Sequence, residues 1–164
     1  KKMETLLGAI KICASVITNL QLIVVGDGEE RKNLSWLAKK MGMENMCWFV
    51  SNEGQLQKWL NSFDIFIASL EAPSLSDLEI IIRAMAAGLP VIGPAESGLN
   101  DIIYENKTGA LIEKGNSEML ARQIIKLYQD KRLRLALGEL AAERAKKYFT
   151  IEKQAEKFEK ILCD

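Results

Sequence analysis

The sequence predicts an α/β domain in which a doubly wound parallel sheet carries helices on both faces. Two short runs, residues 22–25 and 91–92, are apolar at every position rather than at alternate positions, as in strands covered on both faces. Amphipathic segments of helical length separate the strand-like runs, and parallel strands need such crossovers. The 164 residues contain no repeat, low-complexity tract or linker, which predicts one domain over residues 1–164.

Apolar spacing places the elements in order along the chain. The predicted strands are residues 22–25, 46–50, 64–68, 91–92 and 110–112. The predicted helices are residues 3–17, 34–41, 56–60, 78–87, 117–128, 131–147 and 150–162, with a short helical turn at 100–103. The chain opens at Lys1 inside the first helical pattern and without an initiator methionine, so we expect it to be a piece of a longer protein.

The composition excludes several classes of function. Lysine plus arginine and aspartate plus glutamate each number 22, so the chain lacks the net positive charge typical of a nucleic-acid-binding protein. Because the chain has no histidine, it cannot supply a Ser-His-Asp triad, a His-ligated zinc ion or a histidine general base. Three widely spaced cysteines form no CxxC pair, and we interpret them as buried thiols in a reducing cytoplasm. No apolar run approaches the roughly 20 residues that span a bilayer.

In a doubly wound sheet, ligands bind outside the carboxyl ends of the strands. The residues that directly follow the first four strands are therefore site candidates, at 26–30, 51–53, 69–77 and 93–98. The first of these segments begins with Gly26-Asp27-Gly28, where missing side chains permit a tight turn or a close approach to a phosphate. A GxG sequence is also common in turns without a ligand, so both roles stay open for Gly26 and Gly28.

Four segments occur in an order that resembles one enzyme family. They are residues 26–30 (GDGEE), 61–66 (NSFDIF), 84–92 (AMAAGLPVI) and 105–112 (ENKTGALI). Together they resemble the C-terminal domain of retaining GT-B glycosyltransferases of the group 1 family, over nearly the whole chain. The resemblance implies a Rossmann-like domain that binds the nucleotide of a sugar donor such as a UDP- or GDP-sugar. It implies no metal or cofactor, since basic side chains and helix N-termini stabilise the departing diphosphate in such enzymes.

The resemblance also implies partners that this chain lacks. In the family, a preceding N-terminal domain binds the acceptor, and the final helix, here residues 150–162, crosses back to it. Family usage implies transfer to a glycan or lipid-linked acceptor in the cytoplasm, at the inner face of a membrane to which the full-length protein attaches peripherally. The isolated domain is expected to be inactive. Two alternatives remain: a non-catalytic member that assembles with another transferase, and, with less support from the segments, a nucleotide-sugar epimerase.

Several residues align with donor-binding positions of the family. There, an arginine and a lysine ahead of the first helix grip the donor diphosphate. Lys1 takes the lysine position, or Lys2 if the register slips by one, and the arginine position falls upstream of this chain. The alternative is a solvated pair of lysines. After the fourth strand, Ser97 and Gly98 occupy positions where the family often has two glycines facing the donor. Glu96, which flanks them, is also predicted to face the donor, and the alternative is a solvated loop carboxylate.

The family's pair of glutamates, separated by seven residues, is displaced in this sequence. Aligning the segment 84–88 puts Leu75 and Arg83 at the two positions. Glu71 and Glu79 have the required spacing but lie four residues too early, which is close to one helical turn. We therefore predict Glu71 and Glu79 as the catalytic pair. Arg83 is predicted as a further donor contact, to a phosphate or to a carboxylate-bearing donor.

A structural role competes with this interpretation of the glutamates. Residues 76–79 have the pattern of a capping box, in which a serine and a glutamate satisfy the first backbone NH groups of a helix. Glu79 and Arg83 also have the spacing of a favourable i,i+4 ion pair. On that interpretation both aligned glutamates are lost, which favours the non-catalytic alternative.

Overall fold

The computed structural model describes residues 2–26, 30–51, 54–69, 74–96 and 98–150. The helices are α1 (Lys2–Ala14), α2 (Glu30–Lys40), α3 (Leu56–Leu60), α4 (Leu75–Ala86), α5 (Ser117–Gln129) and α6 (Lys131–Tyr148). The strands are β1 (Leu22–Val25), β2 (Cys47–Val50), β3 (Phe66–Ile67), β4 (Val91–Pro94) and β5 (Gly109–Ile112). The predicted helix at 150–162 lies beyond the described residues. Within them, no helix is both long enough and apolar enough to cross a membrane.

All the strand pairs are parallel, as predicted, but the strands form two ladders rather than one. β2 pairs with β1, with Cys47 opposite Leu22, and β4 lies between β3 and β5. Strands β1 and β3 line the two sides of a cleft of about 770 Å³, and no backbone hydrogen bond joins them among the described residues. Only Phe66–Ile67 of β3 have regular strand conformation. β3 therefore offers few backbone NH and carbonyl groups for hydrogen bonds to β1 across the cleft.

Helices cover both faces of the strands, which confirms the doubly wound α/β class. α1 and α5 pack together in one apolar layer, and α4 and α6 pack together in another. Successive side chains of β4 pack in different layers: Ile92 packs in the layer of α1 and α5, and Val91 packs in the layer of α4 and α6. Both residues are fully buried. Since side chains alternate across a strand, the two layers lie on opposite faces of β4 and fix the position of its carboxyl end.

Helix α4 begins three residues earlier than the sequence pattern predicts. Its N-cap is Ser74, whose Oγ accepts a hydrogen bond from the NH of Asp77 at 3.2 Å, while the NH of Ser74 donates to Asp77 Oδ2 at 2.9 Å. The capping box predicted at residues 76–79 is therefore wrong, because the box lies at 74–77. The prediction missed the first turn because Leu75 is 86% exposed and contributes nothing to an apolar face.

Cys13 joins α1 to α5 in the first apolar layer. Its side chain is fully buried, and its Sγ donates to the carbonyl oxygen of Ala121 at 3.7 Å. Burial raises the pKa of the Cys13 thiol from 9.0 to about 11, and burial also raises the pKa of Cys47. Both thiols therefore stay protonated at neutral pH. Their burial confirms the sequence prediction for Cys13 and Cys47, whereas Cys163 lies outside the described residues.

We expect the raised pKa of Cys13 to make the fold less stable at alkaline pH. An unfolded chain releases the thiol proton near pH 9.0, whereas the folded chain holds it until about pH 11. The free energy of unfolding should therefore fall between these values, by about 2 kcal/mol from this thiol at pH 10.5. Urea unfolding at pH 8 and pH 10.5 measures the change. Cys13→Ala is the control, because it should lose about 2 kcal/mol less over the same interval. Equal losses in the two proteins would contradict the prediction.

Candidate functional site

A pocket of about 360 Å³ opens at the carboxyl edge of β3, β4 and β5. We call it the edge pocket. Ser69 follows β3, Pro94 ends β4, and residues 113–115 follow β5, so three neighbouring strands contribute to its lining. Thr5 and Leu6, from the first turns of α1, and Leu120, from α5, complete the lining. The position agrees with the general rule that parallel sheets bind ligands at the carboxyl ends of their strands.

Two glycines in the strands next to this pocket, Gly93 and Gly109, allow close packing because they have no side chain. A Cβ atom on Gly109 would lie 1.9 Å from the carbonyl oxygen of Val91 in the neighbouring strand. A Cβ atom on Gly93 would lie 3.3 Å from Leu99 Cδ1 and 3.4 Å from Ala68 Cβ. The loop after β4 therefore packs directly on the strands that form the pocket.

The charged side chains that line the edge pocket are Lys114 and Glu113, and the lysine is the one that attracts an anionic ligand. Thr5, in the first described turn of α1, borders the pocket, and negative charge is favoured near the N-terminal turns of a helix. Lys114 lines the pocket, and its Nζ lies 2.7 Å from Oε1 of Glu96. Glu96 itself does not line the pocket, so it orients the lysine from outside. The hydroxyl-bearing residues Thr5 and Ser69 add hydrogen-bonding side chains.

The structure brings several of the predicted donor residues to this edge. Lys2 begins α1, so its backbone lies at the helix end that borders the pocket. Glu96 contacts Lys114, and Gly98 lies in the same loop with a φ of +90°, which glycine adopts without strain. Four predicted residues fall outside the described ranges and stay predictions: Lys1, Gly28, Glu71 and Ser97.

Gly26 has a backbone role next to β1. Its NH donates to the carbonyl oxygen of Val50 at 3.0 Å, which continues the β1–β2 ladder by one residue, and its φ is +149°. It does not line the edge pocket. The rest of the turn that the sequence predicts at 26–28 lies outside the described residues, and a phosphate contact of Gly26 stays a prediction.

Glu79 and Arg83 form the i,i+4 ion pair that their spacing predicts. Arg83 Nη2 lies 2.5 Å from Glu79 Oε1, and the side chains are 54% and 61% exposed, respectively. Asp77 and Ile81 line the cleft between β1 and β3, whereas Glu79 and Arg83 line neither that cleft nor the edge pocket. The helical repeat puts this ion pair on the opposite side of α4 from Asp77 and Ile81. The predicted donor contacts of Glu79 and Arg83 remain predictions.

Lys114 was not among the predicted donor residues. It lies just after β5, and the rule for the carboxyl ends of parallel strands applies to that loop as it does to the other four. The sequence contained this signal, but the candidate loops included only those after the first four strands. Thr5 was not predicted either, because it comes from a helix and follows no strand, so the rule gives no signal for it.

The fold is that of the GT-B glycosyltransferases. HepE from Anabaena, solved in complex with UDP, matches 98% of this chain with a TM-score of 0.84 and 21% identity, over 44% of its own chain. The C-terminal domain of LpcC, a group 1 glycosyl transferase from Francisella tularensis, matches 90% of this chain with a TM-score of 0.76 and 20% identity, over 79% of its own. Identities this low show a common fold and no more.

Residues 1–144 match the family model of the glycosyl transferases group 1, and the chain belongs to this family. N-acetyl-alpha-D-glucosaminyl L-malate synthase from Bacillus anthracis is 28% identical over the whole chain, which covers 43% of that protein. LpsE, a lipopolysaccharide core biosynthesis glycosyltransferase from Rhizobium meliloti, is 26% identical over 99% of the chain, which covers 46% of that protein. The family resemblance predicted from the sequence is confirmed, and the chain spans less than half the length of these relatives.

Proposed function

We propose that this chain is the donor-binding half of a glycosyltransferase that takes its sugar from a nucleotide sugar. The observation that carries the proposal is the edge pocket, where Lys114 and the N-terminal end of α1 meet at the carboxyl edge of β3, β4 and β5. A diphosphate matches this arrangement because its negatively charged oxygens are attracted to a cation and to the N-terminal turns of a helix. HepE, with a similar fold, was solved with UDP bound, which supports a uridine nucleotide as the first donor to test.

In the proposed reaction, the bond between the sugar carbon and the nucleoside diphosphate breaks, and that carbon forms a bond to the oxygen of an acceptor hydroxyl, which releases its proton. The leaving diphosphate gains negative charge as the bond breaks. Lys114 and the positive end of α1 stabilise that charge in place, without a bound metal ion. Lys1 or Lys2 would add a second cation at the same end of the helix. Retention of configuration at the sugar carbon is part of the proposal, as in the family that the sequence resembles.

The proposal assigns the acceptor to a part of the protein that is not in this chain. The relatives are more than twice as long as the matched region, which leaves length for an acceptor domain of comparable size. We propose a glycan or a lipid-linked glycan as acceptor, bound at the cytoplasmic face of a membrane. LpsE, which belongs to lipopolysaccharide core biosynthesis, supports this class of acceptor.

Calorimetric titration of the chain with UDP-, GDP- and ADP-sugars tests the proposed function. We expect saturable binding of one nucleotide class, with an affinity that falls as salt rises because charges at the pocket are screened. Absence of binding by all three would contradict the proposal and favour a non-catalytic partner of another transferase. Titrating Glu79→Ala tests its predicted donor contact in the same experiment. Loss of affinity would support that contact, and unchanged affinity would refute it.

A further inference from the structure

Arg144, near the end of α6, holds the loop that joins β4 to β5. Its Nε donates to the carbonyl oxygen of Ile102 at 2.9 Å, and its Nη2 donates to that of Asp101 at 2.6 Å. These two residues are 42 and 43 positions away in sequence. Hydrogen bonds from a charged donor to neutral carbonyls are stronger than those between neutral groups. One side chain thus fixes two consecutive peptide groups of the loop.

Aromatic rings hold the guanidinium group of Arg144 in this position. Its Cζ lies 3.5 Å from the centre of the Tyr104 ring, which belongs to the same loop. The rings of Tyr148 and Phe149 lie 5.2 Å and 5.5 Å away, respectively. A planar guanidinium group combines stacking on a ring with hydrogen bonds in its own plane, which the compact ammonium group of lysine cannot do.

The loop held by Arg144 connects directly to the edge pocket. Residues 98–102 form a short helical turn, in which the NH groups of Leu99 and Asn100 donate to the carbonyl oxygen of Glu96. Leu99 is fully buried and packs against Gly93 of β4. At its beginning, the turn is bonded to Glu96, the partner of Lys114; at its end, it is bonded to Arg144. Within the described residues, the loop is therefore anchored at both ends and along its buried side.

We propose that Arg144 is a positioning residue for the donor: it orders the loop after β4 so that Glu96 holds Lys114 at the edge pocket. Arg144 itself does not line the pocket, so it acts through the loop and not on the ligand. The inference rests on the proposed function, because the ligand whose binding the ordered loop favours is the proposed donor. A loop already ordered before binding loses less conformational entropy when the ligand arrives, and this difference appears as affinity.

The test compares the binding of UDP by Arg144→Ala, Arg144→Lys and the wild-type chain, measured by calorimetry well below the melting temperature. We expect Arg144→Ala to bind UDP about tenfold more weakly. Arg144→Lys should recover part of the affinity, because an ammonium group reaches one carbonyl but cannot bridge both. Hydrogen exchange of the wild type and Arg144→Ala should show lost protection at the amides of Leu99, Ile102 and Ile103.

Arg134→Ala is the matched control on the same helix. Arg134 is, like Arg144, a partly buried arginine that donates to a backbone carbonyl, that of Leu127 at 3.1 Å, and it pairs with Asp64 before the start of β3. It therefore lies at the amino edge of the strands, away from the edge pocket. Its removal should lower the melting temperature and leave the affinity for UDP unchanged.

The outcomes separate the inference from the proposed function. If the wild-type chain binds none of UDP, GDP and ADP, the proposed function is overturned, and the positioning role of Arg144 with it. Wild-type chain that binds UDP no more tightly than Arg144→Ala would overturn the inference alone. Equal weakening in Arg144→Ala and Arg134→Ala would also overturn it, because the effect would then follow from general stability.

Discussion

Replacing Gly138 with alanine is expected to lower the free energy of unfolding by about 3 kcal/mol. A Cβ atom on Gly138 would lie 2.0 Å from the carbonyl oxygen of Gly88 and 3.0 Å from its carbonyl carbon. Both atoms belong to the backbone, which cannot rotate out of the way as a side chain can. Gly88 has a φ of +79° and directly follows α4, so the turn that contains it is itself restricted. Either α6 or this turn must move, and α6 packs against α4.

Gly8→Ala is the matched control for Gly138→Ala. Gly8 is also inside a helix, α1, but a Cβ atom there would meet Ser117 Oγ at 3.0 Å and Ser117 Cβ at 3.4 Å. A serine hydroxyl can turn away, and alanine favours a helix over glycine by about 1 kcal/mol. We expect Gly8→Ala to be close to the wild type in stability. Urea unfolding followed by circular dichroism measures both variants, and equal losses would show that the close approach at Gly138 is not the cause.

The pattern of apolar residues predicts the elements of this fold well where a segment is apolar throughout. The run at 22–25 is apolar throughout, and β1 has the same limits in the structure. The start of α4 was missed because its first turn is defined by hydrogen bonds from Ser74 and Asp77, and an apolar pattern contains no information about them. The split between the ladders was also missed, because strand pairing joins residues that are distant in sequence and no local pattern determines it.

The candidate site was harder to predict than the fold because its parts come from distant segments. The ion pair between Glu79 and Arg83 depends only on a spacing of four in one helix, and the sequence predicts it directly. Lys114 and Glu96 are 18 positions apart and meet only because β4 and β5 are neighbours in the ladder. Arg144 reaches its loop across more than 40 positions. The parallel fold predicts which edge holds the site, but the side chains that meet there depend on packing.

Replacing Lys114 with methionine is expected to weaken the binding of UDP by about tenfold to a hundredfold. Methionine keeps most of the length of the side chain and removes its charge, so the variant loses the attraction to the diphosphate and little packing. The salt dependence of the affinity should become less steep, because one screened charge pair is gone. Lys126→Met, at an exposed position in the last turn of α5, is the control and should bind UDP as the wild type does.

Glu96→Gln then separates two roles for the residue beside Lys114. The sequence predicts that Glu96 contacts the donor, whereas the structure places its carboxylate on Lys114 and outside the pocket lining. A carboxylate that only orients the lysine also repels the diphosphate, and glutamine keeps the hydrogen-bonding oxygen while removing that repulsion. We therefore expect Glu96→Gln to bind UDP at least as tightly as the wild type. Weaker binding of the nucleotide sugar, with UDP affinity unchanged, would instead mean that Glu96 contacts the sugar itself.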